Sequence, residues 1–289
     1  MIRIRTMTAA DVPLGMRLRG QAGFNQTEAD WRRFLDLEPE GCFVAELDGE
    51  PAGTVTNCVF DSVGWIAMLL VDQRVRGRGI GTRLTEHALA YLDGRGVRTA
   101  RLDATPRGRP VYEKLGFVAE YELARLEGPA SGDCSRHTPC AVRRLRHTAC
   151  AYHADELEAV VRIDQEATGT NRRRLIERLH RERPEVMHVF RAGDRIAGYV
   201  TVRDGAHAAQ VGPCVALSDE AGQALCGAAI ELCAGGPVFV DVPVDNVPAF
   251  RWAESKGLTV QRYFTRMRRG EPIPDHPSRL WASSGPEKG

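Results

Sequence analysis

The sequence predicts an α/β chain built as two tandem units, and three observations carry that expectation. Alternating apolar stretches that suit strands take turns with helical periodicities along the chain. The order they follow in the first half recurs in the second. The 289 residues also suit two domains of ordinary size.

Ile2, Ile4 and Thr6 begin a strand, and Thr8-Ala9-Ala10-Asp11 before Val12-Pro13 reads as a helix start, with Pro tolerated in the first turn. A second helix spans Glu28 to Leu37, with Thr27 as N-cap and Asp30 three positions on approximating a capping box. Cys42 to Leu47, the turn Asp48-Gly49-Glu50-Pro51, and Ala52 to Thr56 form a hairpin. Ile66 to Val71 is a strand that feeds an Arg/Gly turn, and Thr82 to Gly94 is the helix after it, with Leu84, Ala88 and Tyr91 on one face. Arg101 to Ala104 is strand-like. Gly128-Pro129-Ala130-Ser131-Gly132-Asp133 then opens like a linker.

Beyond it, Asp155 to Ile163 and Asn171 to His180 are helical, and Val186 to Phe190 with Ile196 to Val202 reads as a hairpin. Gln210 to Val215, Glu220 to Ala234 and Val238 to Val242 repeat the strand, helix and strand of the first half, and Asn246-x-x-Ala249 with Gly257-Leu258 closes the series. The expected organisation is a unit over 1–128, a linker over 129–150 and a second unit over 151–289.

Charged residues nearly cancel to a formal net charge of +1, which argues against a general nucleic-acid binder. No apolar run approaches the ~18 to 20 residues that cross a bilayer, and the start lacks the apolar core of a signal peptide. A cytoplasmic protein without membrane contact is the expectation. The eight cysteines include no Cys-x-x-Cys pair, and Cys42, Cys58, Cys214, Cys226 and Cys233 read as buried small hydrophobes. Cys134, His137, Cys140, His147, Cys150 and His153 fall within twenty residues, but their irregular spacing fits no zinc pattern, so no metal is expected.

The most informative stretch is Leu69-Leu70-Val71-Asp72-Gln73-Arg74-Val75-Arg76-Gly77-Arg78-Gly79-Ile80-Gly81-Thr82. Glycines let the backbone turn tightly, and the first turn of the next helix adds unpaired N–H donors at the positive end of its dipole. An anion belongs there. A Walker loop would need Gly-Lys-Ser/Thr, and a dinucleotide fingerprint would need its first glycine directly after the strand; neither fits.

Arg76-x-x-Gly79-x-Gly81 after a hydrophobic strand resembles the acyl-CoA pyrophosphate loop of the GCN5-related N-acetyltransferases, the GNAT family. Tyr112-Glu113-Lys114-Leu115-Gly116-Phe117, some thirty residues on, resembles the helix whose tyrosine stands beside the thioester in that family. Thr105 and Gly108 stand where the family's fuller motif has Asn and Ala.

The resemblance implies two GNAT-like units, each a mixed, mostly antiparallel central sheet flanked by helices and splayed where the fourth and fifth strands part. It implies an acetyl-CoA-dependent N-acetyltransferase that uses direct attack in a ternary complex on a small-molecule or protein amine. Coenzyme A would lie along Leu69, Leu70 and Val71, with a backbone N–H of Leu69 or Leu70 on the thioester carbonyl. Its phosphates would meet Arg76, Gly77, Arg78, Gly79, Ile80, Gly81 and Thr82. Tyr112 would be the general acid for the departing thiolate.

Phe24, Asn25, Glu28 and Trp31 lie in the run that overhangs the acceptor pocket in the family, although Trp31 suits a core position at helical spacing with Leu35 equally well. Asp103 and Thr105 are placed to line the site. Glu28, Asp30 and Asp103 are candidate bases, with water as the alternative. The second half has no Arg-x-x-Gly-x-Gly, and Ala253 stands where the first half has Tyr112. It therefore reads as a degenerate copy that shapes the substrate site or supports a homodimer. A non-catalytic acyl-CoA sensor or scaffold is the alternative to the enzyme.

Overall fold

The computed structural model describes residues 1–130, 149–233 and 235–289. The first half forms β1 (Ile2–Thr6), α1 (Val12–Ala22), α2 (Glu28–Leu37), β2 (Phe43–Leu47), β3 (Glu50–Phe60), β4 (Val63–Val71), α3 (Ile80–Gly94), β5 (Thr99–Ala104), α4 (Arg109–Lys114) and β6 (Val118–Pro129). The second half repeats the order as β7 (Ala149–Ala151), α5 (Leu157–Thr168), α6 (Arg173–Glu182), β8 (His188–Ala192), β9 (Arg195–Arg203), β10 (Ala209–Ala216), α7 (Asp219–Leu232), β11 (Pro237–Pro243), α8 (Val247–Ser255) and β12 (Thr259–Gly270), and adds β13 (Leu280–Ala282).

Helix starts follow their local chemistry. The Thr27 N–H donates to Asp30 Oδ2 at 2.8 Å, so the expected capping carboxylate opens α2. Along β4, Trp65 packs toward Trp31, Phe34 and Leu37 of α2, while its neighbour Ile66 packs toward Leu84, Ala88 and Leu92 of α3. Strand alternation thus places helices on both faces of the sheet.

The sheet is mostly antiparallel, with β4·β5 and β10·β11 as its parallel pairs among the described residues. Its order is β1-β2-β3-β4-β5-β12-β6-β11-β10-β9-β8-β7. The two halves exchange their last strands: β12 lies between β5 and β6, and β6 lies between β12 and β11. The sequence reading assigns no strand to 118–129 or 259–270. Both segments carry charges that look solvent-exposed until their partners arrive from the other half. Arg125 makes a two-pronged contact with Asp241 at 2.7 and 2.8 Å, and Arg266 holds Asp103 at 2.8 and 2.9 Å. The break at 129–150 is one of sequence; in space one sheet runs through both halves.

A second ionic knot ties the α1–α2 segment to the second half. Asp30 is held by Arg33 at 2.6 Å and Arg203 at 3.0 Å, with Lys288 at 3.9 Å. Burial pushes its carboxyl up, but Arg203, Lys288, Arg33 and the Thr27 N–H outweigh this and hold it below the usual carboxylate range. The sign follows from linkage. Stability from this carboxylate is present above the unfolded pKa near ~4 and is lost as pH falls toward the lower folded value. Asp30→Asn should therefore lower the urea midpoint at pH 7, and its deficit against the parent should shrink between pH 5 and pH 3. An undiminished deficit at pH 3 would show that the charge is not what stabilises the joint.

The two parallel pairs explain where clefts form. β4 and β5 pair only from Val63–Trp65 with Thr99–Arg101 and then part. In the second half β10 and β11 pair over Ala209–Val211 and part likewise, but there β13 enters and pairs with β10 at Cys214 and Val215. The first cleft has no such strand among the described residues.

Candidate active site

The cleft between β4 and β5 opens into a cavity of about 730 Å³. A β-bulge shapes its wall. Thr54 pairs with Leu70 and Thr56 with Ala67, so β4 carries one residue more than β3 there. Met68 takes φ 49°, rare for a residue with a side chain, and its carbonyl accepts from Thr54 Oγ1 at 3.0 Å. The bulge takes backbone out of the sheet ladder where Leu69 and Leu70 line the cavity. The corresponding bulge of β10, between Val211 and Cys214, is Gly212-Pro213. Proline has no N–H to offer.

After β4, Asp72 Oδ1 accepts the Arg74 N–H at 3.0 Å and pins a short turn over Gln73–Val75. The chain then passes through Gly77 at φ 80° and Gly79 at φ 78°, the left-handed region that favours glycine, into the first turn of α3. A Cβ at either glycine would meet nothing within 4 Å, so the cradle faces open space that a ligand can fill. The first turn of α3 carries no acid, whereas that of α7 carries Asp219 and Glu220. Arg76 lines the cavity and its Nε donates to the Val71 carbonyl at 3.1 Å. The room, the donors and the positive end of α3 fit a pyrophosphate.

Val71, Ile80, Gly81 and Thr82 also line the cavity. Arg78 is exposed and is not part of that lining.

On the opposite wall stands Tyr112, half-buried on α4, its ring edge-on to Phe117 at 5.9 Å. Its phenol has no hydrogen-bond partner among the described residues, and burial pushes its pKa up to about 12. It therefore holds its proton at neutral pH and is free to donate it. Thr105 lines the cavity with its Oγ1 accepting from the Gly108 N–H at 3.2 Å, a capping role at the start of α4.

On the acceptor side Trp31 takes its core alternative and Glu28 departs from expectation. Trp31 is fully buried in the core, its ring over Gly15 where a Cβ would come within 2.7 Å, so it packs α2 on α1 and does not line the cavity. Glu28 is exposed and pairs with Arg32 one helical turn on, away from the cavity. Phe24 and Asn25 do line it. The Asn25 amide is tied to the second half: its Nδ2 donates to the Ala208 carbonyl at 2.9 Å, and its Oδ1 accepts from the N–H groups of His207 and Ala208. Asp103 lines the cavity but both its oxygens are taken by Arg266. Asp30 lies in its cation cluster, outside the lining.

Further lining comes from Gln26, Arg125, Arg262, Phe264 and Glu287. Gln26 sits within the run singled out in the sequence; the others lie on exchanged strands or beyond β13, and no local motif marks them. Of the Cys/His series, Cys134, His137, Cys140 and His147 lie outside the described residues. Cys150 belongs to β7 and His153 precedes α5, and the described residues hold no cluster of three potential metal ligands.

Comparison with known proteins agrees with this fold. The model of the acetyltransferase (GNAT) family matches residues 16–117, and that of an acetyltransferase (GNAT) domain matches 160–282. An uncharacterized N-acetyltransferase of Archaeoglobus fulgidus is 39% identical over 34% of this chain and 69% of its own length. The holothin acyltransferase of a Pseudoalteromonas species is 26% identical over 84% of this chain and 79% of its own. A crystal structure of a putative acetyltransferase from Pyrococcus horikoshii shares the fold with a TM-score of 0.82 at 24% identity, over 100% of this chain and 96% of that one.

Proposed function

This chain belongs to the GNAT acetyltransferase family, and from that premise we propose that it moves the acetyl group of acetyl-CoA to a primary amine by direct attack within a ternary complex. The observation that carries the reading is the meeting, in one cavity, of the glycine cradle, the β4 bulge and an unpartnered phenol. When bound, acetyl-CoA supplies an activated acyl group. The backbone N–H groups from Gly77 to Thr82, with Arg76, hold the pyrophosphate. A bulge N–H at Leu69 or Leu70 stabilises the negative charge that gathers on the thioester oxygen. Tyr112 keeps a proton on its phenol oxygen for the departing thiolate. Among the described residues the carboxylates that line the cavity are engaged, Asp103 by Arg266 and Glu287 by Arg203 and Lys288, so water takes the amine proton.

The second half serves the acceptor side of the cavity through Arg262, Phe264 and Glu287, which favours a substrate-shaping role over a dimer contact. The reading places the protein in the cytoplasm, with a small molecule or a protein as acceptor. The competing reading is a CoA-binding module without turnover. Thiol release from acetyl-CoA over a panel of primary amines separates the two, since a mere binder releases none.

Titration calorimetry should give one CoA per chain, because β13, Pro213, Asp219 and Glu220 each remove something a second site needs. Two sites would defeat this account of the second half. Gly79→Val should lower CoA affinity at least about tenfold, through a strained φ and a side chain standing in the cradle. Gly227→Ala is the matched control, since a Cβ there meets nothing within 4 Å. Gly222 cannot serve, because its Cβ would fall 1.9 Å from the Trp281 ring.

A further inference from the structure

Two groups in the acceptor part of the cavity lack the partners their chemistry calls for. One is Arg262. On β12 it stands directly opposite Arg125 of β6, a pairing of like charges that destabilises a sheet. Arg125 is neutralised by Asp241, but among the described residues no carboxylate lies within ion-pair distance of Arg262; its Nε donates to Gln261 Oε1 at 2.9 Å, and its guanidinium makes no other hydrogen bond with them. Burial and the neighbouring Arg125 press its pKa down, outweighing the more distant pull of Asp241 and Glu127, whose carboxylates are already engaged by Arg125 and Gln261.

The other is Gln26, which is 3% exposed. Its Nε2 donates to Glu287 Oε2 at 3.2 Å, and that carboxylate sets which way the amide points. Its Oε1 is left buried with no donor, in a residue that lines the cavity. An orphaned buried acceptor is costly and invites an N–H. Gln26, Glu287 and Arg262 all line the one cavity, so a single ligand can meet both unmet groups.

We propose that the acceptor is an amino acid in the chemical sense, an amine that also carries a carboxylate. Its amine N–H is received by Gln26 Oε1 beside Glu287, and its carboxylate by the Arg262 guanidinium. This deepens the transferase reading and rests on it for the identity of the site, but the recognition can be measured without turnover.

The test pairs each of the twenty standard α-amino acids, and a short series of ω-amino acids, with its own carboxamide. At least one acid should show a KM about 10- to 100-fold below that of its carboxamide, the range for a hydrogen bond to a charged group. In Arg262→Gln that ratio should fall to near one, and Arg262→Lys should restore part of it. Gln26→Met should raise the KM of acid and carboxamide alike, because it reads the amine. The same ratios are taken as Kd by calorimetry on CoA-saturated protein, which also shows that each variant is folded. Acids that bind in this pattern without thiol release would sink the transferase reading and sustain this one. Thiol release with carboxamides, or with amines that have no acid group, at KM values equal to those of the acids would overturn this one and spare the transferase. So would a ratio unmoved by Arg262→Gln.

Discussion

Tyr112→Phe should leave acetyl-CoA affinity nearly unchanged and lower turnover by about 10²- to 10⁴-fold, or roughly 3 to 5 kcal/mol of barrier. The substitution keeps the ring that meets Phe117 and removes only the hydroxyl, which makes no hydrogen bond among the described residues. A structural effect is therefore small, and the loss falls on the proton that the departing thiolate needs. The measurement requires an amine that supports turnover and a chemical step that limits it. If turnover survives, water or another group carries the proton and the assignment to Tyr112 fails. If affinity collapses instead, the ring serves ligand packing, and the non-catalytic reading gains.

Trp281→Ala should cost about 3 to 5 kcal/mol of stability, the usual range for emptying a large aromatic from a core. Trp281 is 1% exposed and sits on Gly222 of α7, in the core that includes Leu225, Val240 and Trp252. It fills the part of the second half where the first half has its ligand cavity. Gly222→Ala should destabilise as well, since its Cβ would strike the same ring, and the double variant should be less damaged than the sum of the two. Urea unfolding of the four proteins decides this. Additive losses would mean that the ring and the glycine do not share a contact. CoA stoichiometry should stay at one in Trp281→Ala, because emptying the cleft restores neither a donor at Pro213 nor a neutral first turn in α7.

Elements whose signals are local can be read from the amino-acid order alone. The capping carboxylate of α2, the hairpin turn at Asp48-Gly49, the glycines of the cradle and the tyrosine before Gly116-Phe117 act on neighbours a few residues away, so spacing alone reveals them. The doubled order of elements and the family followed from the same local signals. The amino-acid order also showed, from missing residues, that the second half lacks a cradle and a tyrosine.

Other features emerge only in the folded chain, because they depend on partners far apart in sequence. Strands β6 and β12 read as charged surface because Arg125 and Arg266 find Asp241 and Asp103 only after the halves exchange strands. Trp31 and Glu28 share a helix and similar sequence surroundings, yet one is core and the other solvent, a choice made by what packs on each face of α2. Part of the cavity wall is assembled from Gln26, Arg125, Arg262 and Glu287, brought together by sheet register and by the path of the chain after β13. No periodicity encodes such a wall, because each contributing segment satisfies its own local pattern whether or not the others are near.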